Sequence, residues 1–342
     1  DSLSQFALGA AVAHAVTGKQ LGSRALILGG ALGTLPDLDV VFPMGGAIAD
    51  YSYHRSWSHS LLVHAAATAP LAWLLRRGRL RALSFARISL AVFLVLSTHA
   101  LLDACTIYGT QLFWPLAGAP IGLGSIFIID PLYTVPLLVG IVAAWRSTNR
   151  AQRWNGLGLV LSSAYLLWSM GAQQWTRSRV EQDLARRGIQ PSQLLVTAAP
   201  FNTFLWRMVA IDGDRYLEGF DSLLDEAPPD WYAYPRHTKE LAGLPDSWAA
   251  QRVDWFTQGA WAAGSEGDAL ILTDLRMGME PNYVFRFRVA ERDQHGSWQE
   301  VPDRLQRVGI RSDSLGWAWR RIFAAIPKPE ATALPALPLE QP

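Results

Sequence analysis

The sequence predicts an α-helical membrane domain of about five helices followed by a smaller, β-rich α+β soluble domain. Three observations carry this prediction. Charged residues make up 17% of the 342-residue chain, against about 25% in an average soluble protein. The carboxylates are also unevenly placed: before residue 180 they are Asp1, Asp37, Asp39, Asp50, Asp103 and Asp130 alone, and the other 23 follow from Glu181 onward. A surface wetted on all sides cannot be built from so few acidic groups. Finally, the first half is a succession of apolar runs, whereas alternating short runs punctuated by Asp/Gly turns begin near Pro191.

Taken in order, Leu3–Val16 reads as a first, weakly polar helix, and Ala25–Leu35 as a short Gly-rich one. Leu61–Leu75 is closed by Arg76 and Arg77. Ile88–Leu102 is interrupted only by Ser97, Thr98 and His99. Ile126–Trp145 has about the length needed to cross a bilayer, and Gly156–Met170 is slightly short of it. Asp183–Arg187 belongs to a linking helix. Phe204–Ile211, Arg215–Leu224, Ala269–Leu275 and Tyr283–Val289 read as strands, the first two joined by Asp212-Gly213-Asp214. The expected boundaries are 1–175 for the membrane domain with its site, 176–327 for the soluble domain, and 328–342 for a Pro/Ala-rich, loosely ordered tail. No internal repeat is visible.

The loops suggest an orientation. Lys19 and Arg24, then Arg76, Arg77, Arg79, Arg81 and Arg87, then Arg146, Arg150 and Arg153, fall on one side of alternating spans. The positive-inside rule makes that side cytoplasmic. The early carboxylates and the C-terminal domain then face the periplasmic or outer side of a bacterial-type inner membrane. Asp1–Gln20 lacks the basic start of a cleavable signal. A net charge of +1 offers no polyanion-binding surface, so nucleic acid is not an expected partner, and the single Cys105 excludes an intrachain disulfide and a Cys-based zinc knuckle. The sequence leaves the oligomeric state open.

Three segments concentrate metal-ligating residue types: Asp37 and Asp39 after Pro36; His54 and His59 in Tyr53-His54-Arg55-Ser56-Trp57-Ser58-His59-Ser60; and His99 with Asp103 at the end of a span. On a helix, residues four apart share a face, so His99 and Asp103 can point at one ion. In an extended turn, i and i+2 project to the same side, which suits Asp37 and Asp39. In the topology above all three segments lie at one membrane end. Clustered carboxylates repel unless a cation sits among them, and ionisable groups at a membrane are costly and usually functional. Imidazole and carboxylate together suit a divalent metal such as zinc, with manganese or iron as alternatives. Six candidates, Asp37, Asp39, His54, His59, His99 and Asp103, leave room for one ion or more. Arg55 is placed to stabilise an anionic substrate or to neutralise Asp50, and Asp39 or Asp130 to take a proton. Gln5 is a candidate neutral ligand or hydrogen-bond partner, and His64 a supporting residue. Asn202, Arg207, Asp274 and Arg276 either line the site or serve turns and strand edges.

These residues resemble a known family. Asp1-Ser2-Leu3-Ser4-Gln5, Gly33-Thr34-Leu35-Pro36-Asp37-Leu38-Asp39, Tyr53-His54-Arg55-Ser56 with Ser58-His59-Ser60, Thr98-His99 through Asp103, and Ile129-Asp130-Pro131-Leu132-Tyr133 are similar to the YdjM-like inner-membrane-associated metal-dependent hydrolases. The resemblance covers about the first 175 residues. Pro200-Phe201-Asn202-Thr203 with Leu205-Trp206-Arg207, and Thr273-Asp274-Leu275-Arg276-Met277-Gly278, resemble the soluble tail of a long form of that family. Many relatives carry a His near the N-terminus, where this chain has Gln5. The family is distantly similar to zinc-dependent phospholipase C and single-strand-specific zinc nucleases, which implies hydrolysis of a phosphoester by metal-activated water. A site at the membrane surface suits a lipid or lipid-linked substrate. The competing expectation is a metal-stabilised, non-enzymatic membrane scaffold or regulator that binds a protein partner.

Overall fold

The structure, a computed structural model, describes residues 2–77, 80–116, 118–147, 149–244, 246–306 and 312–328. Arg79 of the second basic loop and all of the expected tail except Lys328 lie outside the described residues. Seven helices come first: α1 (Ser2–Leu21), α2 (Arg24–Gly33), α3 (Ala47–Tyr53), α4 (Leu61–Arg76), α5 (Phe85–Cys105), α6 (Pro131–Arg146) and α7 (Ala151–Arg186). Strands β1 (Gln193–Ala198), β2 (Leu205–Asp212), β3 (Arg215–Ser222) and β4 (Trp231–Pro235) follow, then α8 (Trp248–Thr257). The chain continues through β5 (Trp261–Glu266), β6 (Ala269–Asp274), β7 (Gly278–Met279), β8 (Asn282–Tyr283), β9 (Arg286–Arg292) and β10 (Trp298–Leu305) to α9 (Ser312–Arg321). A helical half followed by a β-rich one is therefore the arrangement found.

The chain divides into two compact units. The first comprises 1–42 and 53–169; the second comprises 43–52 and 170–342. The division falls inside α7, a single 36-residue helix that unites the expected last span with the expected linking helix. It also assigns 43–52 to the second unit, a segment that the sequence places within the first domain.

In the first unit, α1 and α2 are joined at glycines. A Cβ on Gly29 would stand 2.2 Å from the Gly9 carbonyl oxygen, and one on Gly33 would stand 2.6 Å from that of Gln5. Only glycine lets the two backbones approach this closely, the packing mode common between helices in lipid. The same device joins α6 to α7, where a Cβ on Gly158 would lie 2.7 Å from the Pro136 carbonyl oxygen. The core gathers Ala7, Ala10 and Leu26 with Val92, Val95 and Leu96 of α5 and Leu137 of α6. Outward, Val135, Val139 and Val142 of α6 and Leu157, Val160, Leu161 and Trp168 of α7 are exposed.

About five spans were expected; among the described residues, one helix, α5 with 21 residues, is long and apolar enough to cross a membrane. For α1 with 20 residues and α7 with 36 the shortfall is one of hydropathy; for the others it is one of length. The apolar helices α4 and α6 have 16 residues each, or about 24 Å at 1.5 Å per residue, against a hydrocarbon core of about 30 Å. The apolar helix α2 has 10.

The second unit holds two four-stranded antiparallel sheets, in orders β1-β2-β3-β4 and β10-β9-β6-β5, with a small β7-β8 pair. The predicted turn at Asp212-Gly213-Asp214 is a hairpin in which Asp212 pairs with Arg215, and Gly213 has φ +62°. The first sheet contributes Trp206, Met208, Leu217 and Trp231 to a core shared with Val180 and Leu184 of α7. Buried charges are paired here. Arg207 donates to Glu218 (2.8 Å), to the Leu275 carbonyl (2.8 Å) and to the Tyr283 hydroxyl (3.1 Å), and Lys328 donates to the same Glu218.

Asp221 is less well served. Burial pushes its carboxyl up to about 6, with Arg179 pulling the other way. A carboxyl raised in the folded state adds stability below its ordinary pKa and loses that contribution as pH rises through 6. Asp221→Asn should therefore raise the melting temperature more at pH 8 than at pH 4, as read by differential scanning calorimetry. Gly29→Val should destabilise the first unit by roughly 1–3 kcal/mol through overpacking, read as a lower melting temperature in detergent.

Candidate metal centre

A short 3-10 helix, Pro36–Val41, follows α2 and carries Asp37 and Asp39; a second, Trp57–His59, precedes α4 and carries His59. His99 and Asp103 stand one turn apart near the end of α5. These elements bring Asp37, His59, His99 and Asp103 together, with one ligand atom from each lying within 4.8 Å of every other. The two imidazole Nε2 atoms are 3.0 Å apart. Asp103 Oδ2 lies 3.0 Å from His59 Nε2 and 3.4 Å from His99 Nε2; Asp37 Oδ1 lies 3.5 and 3.4 Å from the same two atoms. This buried group could hold a metal ion.

The hydrogen bonds around the group test that fit. His99 Nδ1 faces the Gly33 carbonyl oxygen at 2.6 Å; a carbonyl only accepts, so Nδ1 carries the proton and Nε2 can present a lone pair. Ser58 Oγ donates to Asp39 Oδ2 at 2.5 Å and lies 2.8 Å from His59 Nδ1. With its own hydrogen spent on Asp39, the Ser58 oxygen accepts from His59 Nδ1, which turns the His59 Nε2 lone pair inward. Such supporting bonds are the usual way a metal-binding imidazole is oriented. Two lone pairs facing each other at 3.0 Å are repulsive unless a cation lies between them. Asp103 Oδ2 points the same way, since it is buried without a hydrogen-bond partner. The residues present therefore fit a divalent cation.

Electrostatics agree. Burial alone would raise the Asp37 carboxyl, but hydrogen bonds with His59 and His99 and the charge on His99 hold it well below the usual carboxylate range. Positive charge beside these carboxylates is what the pocket needs, and a bound divalent ion would supply it.

Asp39 and His54 lie outside the group of four. The two Asp39 oxygens receive His54 Nδ1 (2.7 Å), the Arg55 backbone N–H (3.1 Å) and Ser58 Oγ, so Asp39 ties the His54–His59 loop to the Asp37 helix. Burial acts against ionisation of Asp39, yet these bonds, led by that of His54, lower its pKa. Arg55 is 3% exposed. Its Nε lies 3.2 Å from Asp103 Oδ2 and its Nη1 donates to Thr106, so its charge is directed at Asp103. Gln5 is a hydrogen-bond partner in this arrangement, donating to Asp103 Oδ1 at 2.9 Å. His64 donates to the Ser58 carbonyl at 2.8 Å and so braces the His59 turn. Asp130 caps α6 through the Leu132 N–H (2.9 Å) and accepts from Tyr165 (2.7 Å); it lines a small cavity together with Asp103, Gln5 and Tyr133.

The C-terminal candidates are engaged within the second unit. Asn202 accepts from the Phe204 and Leu205 N–H groups, which is turn chemistry. Arg207 serves Glu218, and Asp274 pairs with Arg276 at 2.9 Å. Sequence reasoning missed the two orienting groups, Ser58 Oγ and the Gly33 carbonyl. Ser58 could have been found from its place beside His59; a backbone carbonyl leaves no trace in the sequence.

A helical half with one candidate apolar span and a buried Asp/His group is the pattern of a helical protein compatible with a membrane setting and carrying a candidate metal centre. The comparisons name its family: the model of the YdjM inner membrane protein family matches residues 1–176, just over half of the chain, and the chain belongs to that family. No curated protein and no solved structure matches it.

The orienting role of Ser58 is testable. Ser58→Ala should weaken zinc or cobalt binding by about 10- to 100-fold in isothermal titration calorimetry, with the four ligands intact.

Proposed function

We propose that the chain is a multi-pass inner-membrane hydrolase that cleaves a phosphoester of a lipid or lipid-linked substrate, with the site and the C-terminal domain on the periplasmic side. The convergence of two oriented imidazole nitrogens and two carboxylates on one buried point carries this reading. Two nitrogen and two oxygen donors favour zinc, with manganese the alternative. A bound ion of this kind polarises a phosphoryl oxygen and brings the pKa of water to about 7. The exposed valines of α6 and the exposed Leu157, Val160, Leu161 and Trp168 of α7 suit contact with lipid, which supports further spans besides α5.

The chain's own residues divide the remaining work. Asp37, with a side chain 20% exposed against 0–3% for its three partners, marks the side from which substrate reaches the site. Arg55 keeps a fixed positive charge beside Asp103 and favours an anionic substrate through the field rather than by contact. Asp39 holds His59 and the loop in place, and its oxygens are committed. Asp130, in the cavity beside Asp103, is the carboxylate left to take up a proton.

One observation favours a second reading. Structural zinc sites are closed by four protein ligands, while catalytic ones keep a position open, and this group offers four. A metal-stabilised scaffold that binds a protein partner has the same ligand set without turnover.

Metal analysis of the purified protein decides the common ground. Wild type should carry zinc or manganese, and His59→Ala and Asp103→Ala should lose it; unchanged content in both variants sinks the metal centre. Turnover of phospholipid or of a generic phosphodiester by the loaded wild type, abolished by chelation, supports the hydrolase. Full metal content with no turnover and no effect of phosphate on the cobalt spectrum supports the scaffold.

A further inference from the structure

Glu218, on β3, is fully buried, and its two oxygens are served from different parts of the second unit. Oε1 receives the guanidinium of Arg207 on the neighbouring strand β2. Oε2 receives the ammonium of Lys328. Lys328 reaches it from residues 322–328, which follow α9 and form neither helix nor strand, yet its side chain is 1% exposed.

The surroundings of that ammonium are the ones that recognise an amine. Lys328 Nζ donates to the Tyr234 hydroxyl at 3.2 Å, and it lies 5.1 Å from the centroid of the Tyr234 ring and 6.0 Å from that of Tyr232. A cation within about 6 Å of aromatic faces is attracted by the ring quadrupole, and here a carboxylate adds its charge. Tyr232 and Tyr234 are two apart on β4, so they share one face of an edge strand. Tyr234 stacks on Tyr216 at 5.4 Å, and the Tyr216 hydroxyl donates to Glu280. The walls of the pocket are thus held by the sheet, and the occupant comes from irregular chain. The residue type also fits. Lysines number three, Lys19, Lys239 and Lys328; the first two are exposed and the third fills this pocket. A lysine ammonium is a compact point charge, unlike the planar fork of arginine.

We propose that Glu218, Tyr232 and Tyr234 form a recognition site for a primary ammonium group, that Lys328 occupies it in cis, and that an outside amine binds there by displacing Lys328. The ligand is a small primary amine, either free or carried as a lipid headgroup. A tethered competitor acts at high effective concentration, so the native chain binds such a ligand weakly until residues 322–328 release the pocket. Every group involved lies in the second unit, and the proposal is independent of the metal reading.

The test is isothermal titration calorimetry of ethylammonium chloride into the full-length protein at constant ionic strength. Lys328→Ala removes the competitor and leaves its space open, and should bind at least about tenfold more tightly than wild type. Lys328→Met fills the same space without a charge and should show no gain. Tyr234→Leu in the Lys328→Ala background should lose the gain. If Lys328→Ala is too unstable to titrate, a rise in its melting temperature with ethylammonium over equal sodium chloride reads the same binding. Ethanolamine and micelles carrying short-chain phosphatidylethanolamine then separate the two sources: binding of both assigns a site for amines in general, and binding of the lipid alone assigns a headgroup site. Equal affinity and equal melting response in Lys328→Ala and wild type overturn the proposal, as does a gain that survives Tyr234→Leu.

Discussion

Two imidazole nitrogens 3.0 Å apart, with two carboxylate oxygens 3.0 to 3.5 Å from both, cannot be stable without positive charge among them. Most of the first unit can be understood as the machinery that enforces this arrangement. The inward lone pair on His99 exists because the Gly33 carbonyl takes the other ring proton. That carbonyl is within reach because α2 lies against α1 at Gly9, Gly29 and Gly33, where a side chain would collide with backbone. A helix contact that looks like ordinary small-residue packing thus sets the ring orientation of a candidate ligand on α5. The same logic runs through Ser58 on the other imidazole, with Asp39 as the fixed end of the chain of bonds.

This accounting changes what each acidic residue does. In the sequence, Asp37 and Asp39 look equivalent, two residues apart on one turn. Their neighbours separate them. Asp39 is surrounded by donors, the His54 ring, the Arg55 N–H and the Ser58 hydroxyl, and a carboxylate saturated in this way orients rather than coordinates. Among the described residues, Asp37 pairs with the two imidazoles of the centre. Arg55 illustrates the same point from the cationic side. A guanidinium beside Asp103 lowers the cost of burying that carboxylate, so the net charge facing an ion is smaller than two carboxylates alone would give.

What the sequence made legible follows from how local each feature is. The helical half was readable because apolar runs and missing carboxylates are properties of contiguous segments. The His99 and Asp103 pair was readable because helical periodicity fixes their relation. In the second unit, β2, β3, β6 and β9, the inner strands of the two sheets, were visible as apolar runs. The edge strands were not: β4 and β10 contain proline, β5 contains glycine in mid-strand, and β10 is largely exposed, as befits strands with one free edge. Span number was overread because crossing a bilayer requires length and apolar composition together: α2, α4 and α6 are apolar but short, while α1 and α7 are long but interrupted by polar residues.

The assignment of 43–52 to the second unit was the least legible feature. Nothing local marks Tyr51 as an anchor; its partners Asp274 and Arg276 stand more than 220 residues away in sequence. The buried Asp274 and Arg276 pair meets the Tyr51 hydroxyl, on a segment flanked by Phe42 and Tyr53, three residues beyond Asp39 and two before Arg55. Asp39 clamps those ends from within the first unit, through the Arg55 N–H and the Ser58 hydroxyl. A left-handed Arg55 is thus held within the first unit from both sides, its N–H by the Asp39 carboxylate and its carbonyl by the Gln111 N–H, and a backbone of this kind persists only while such bonds hold it.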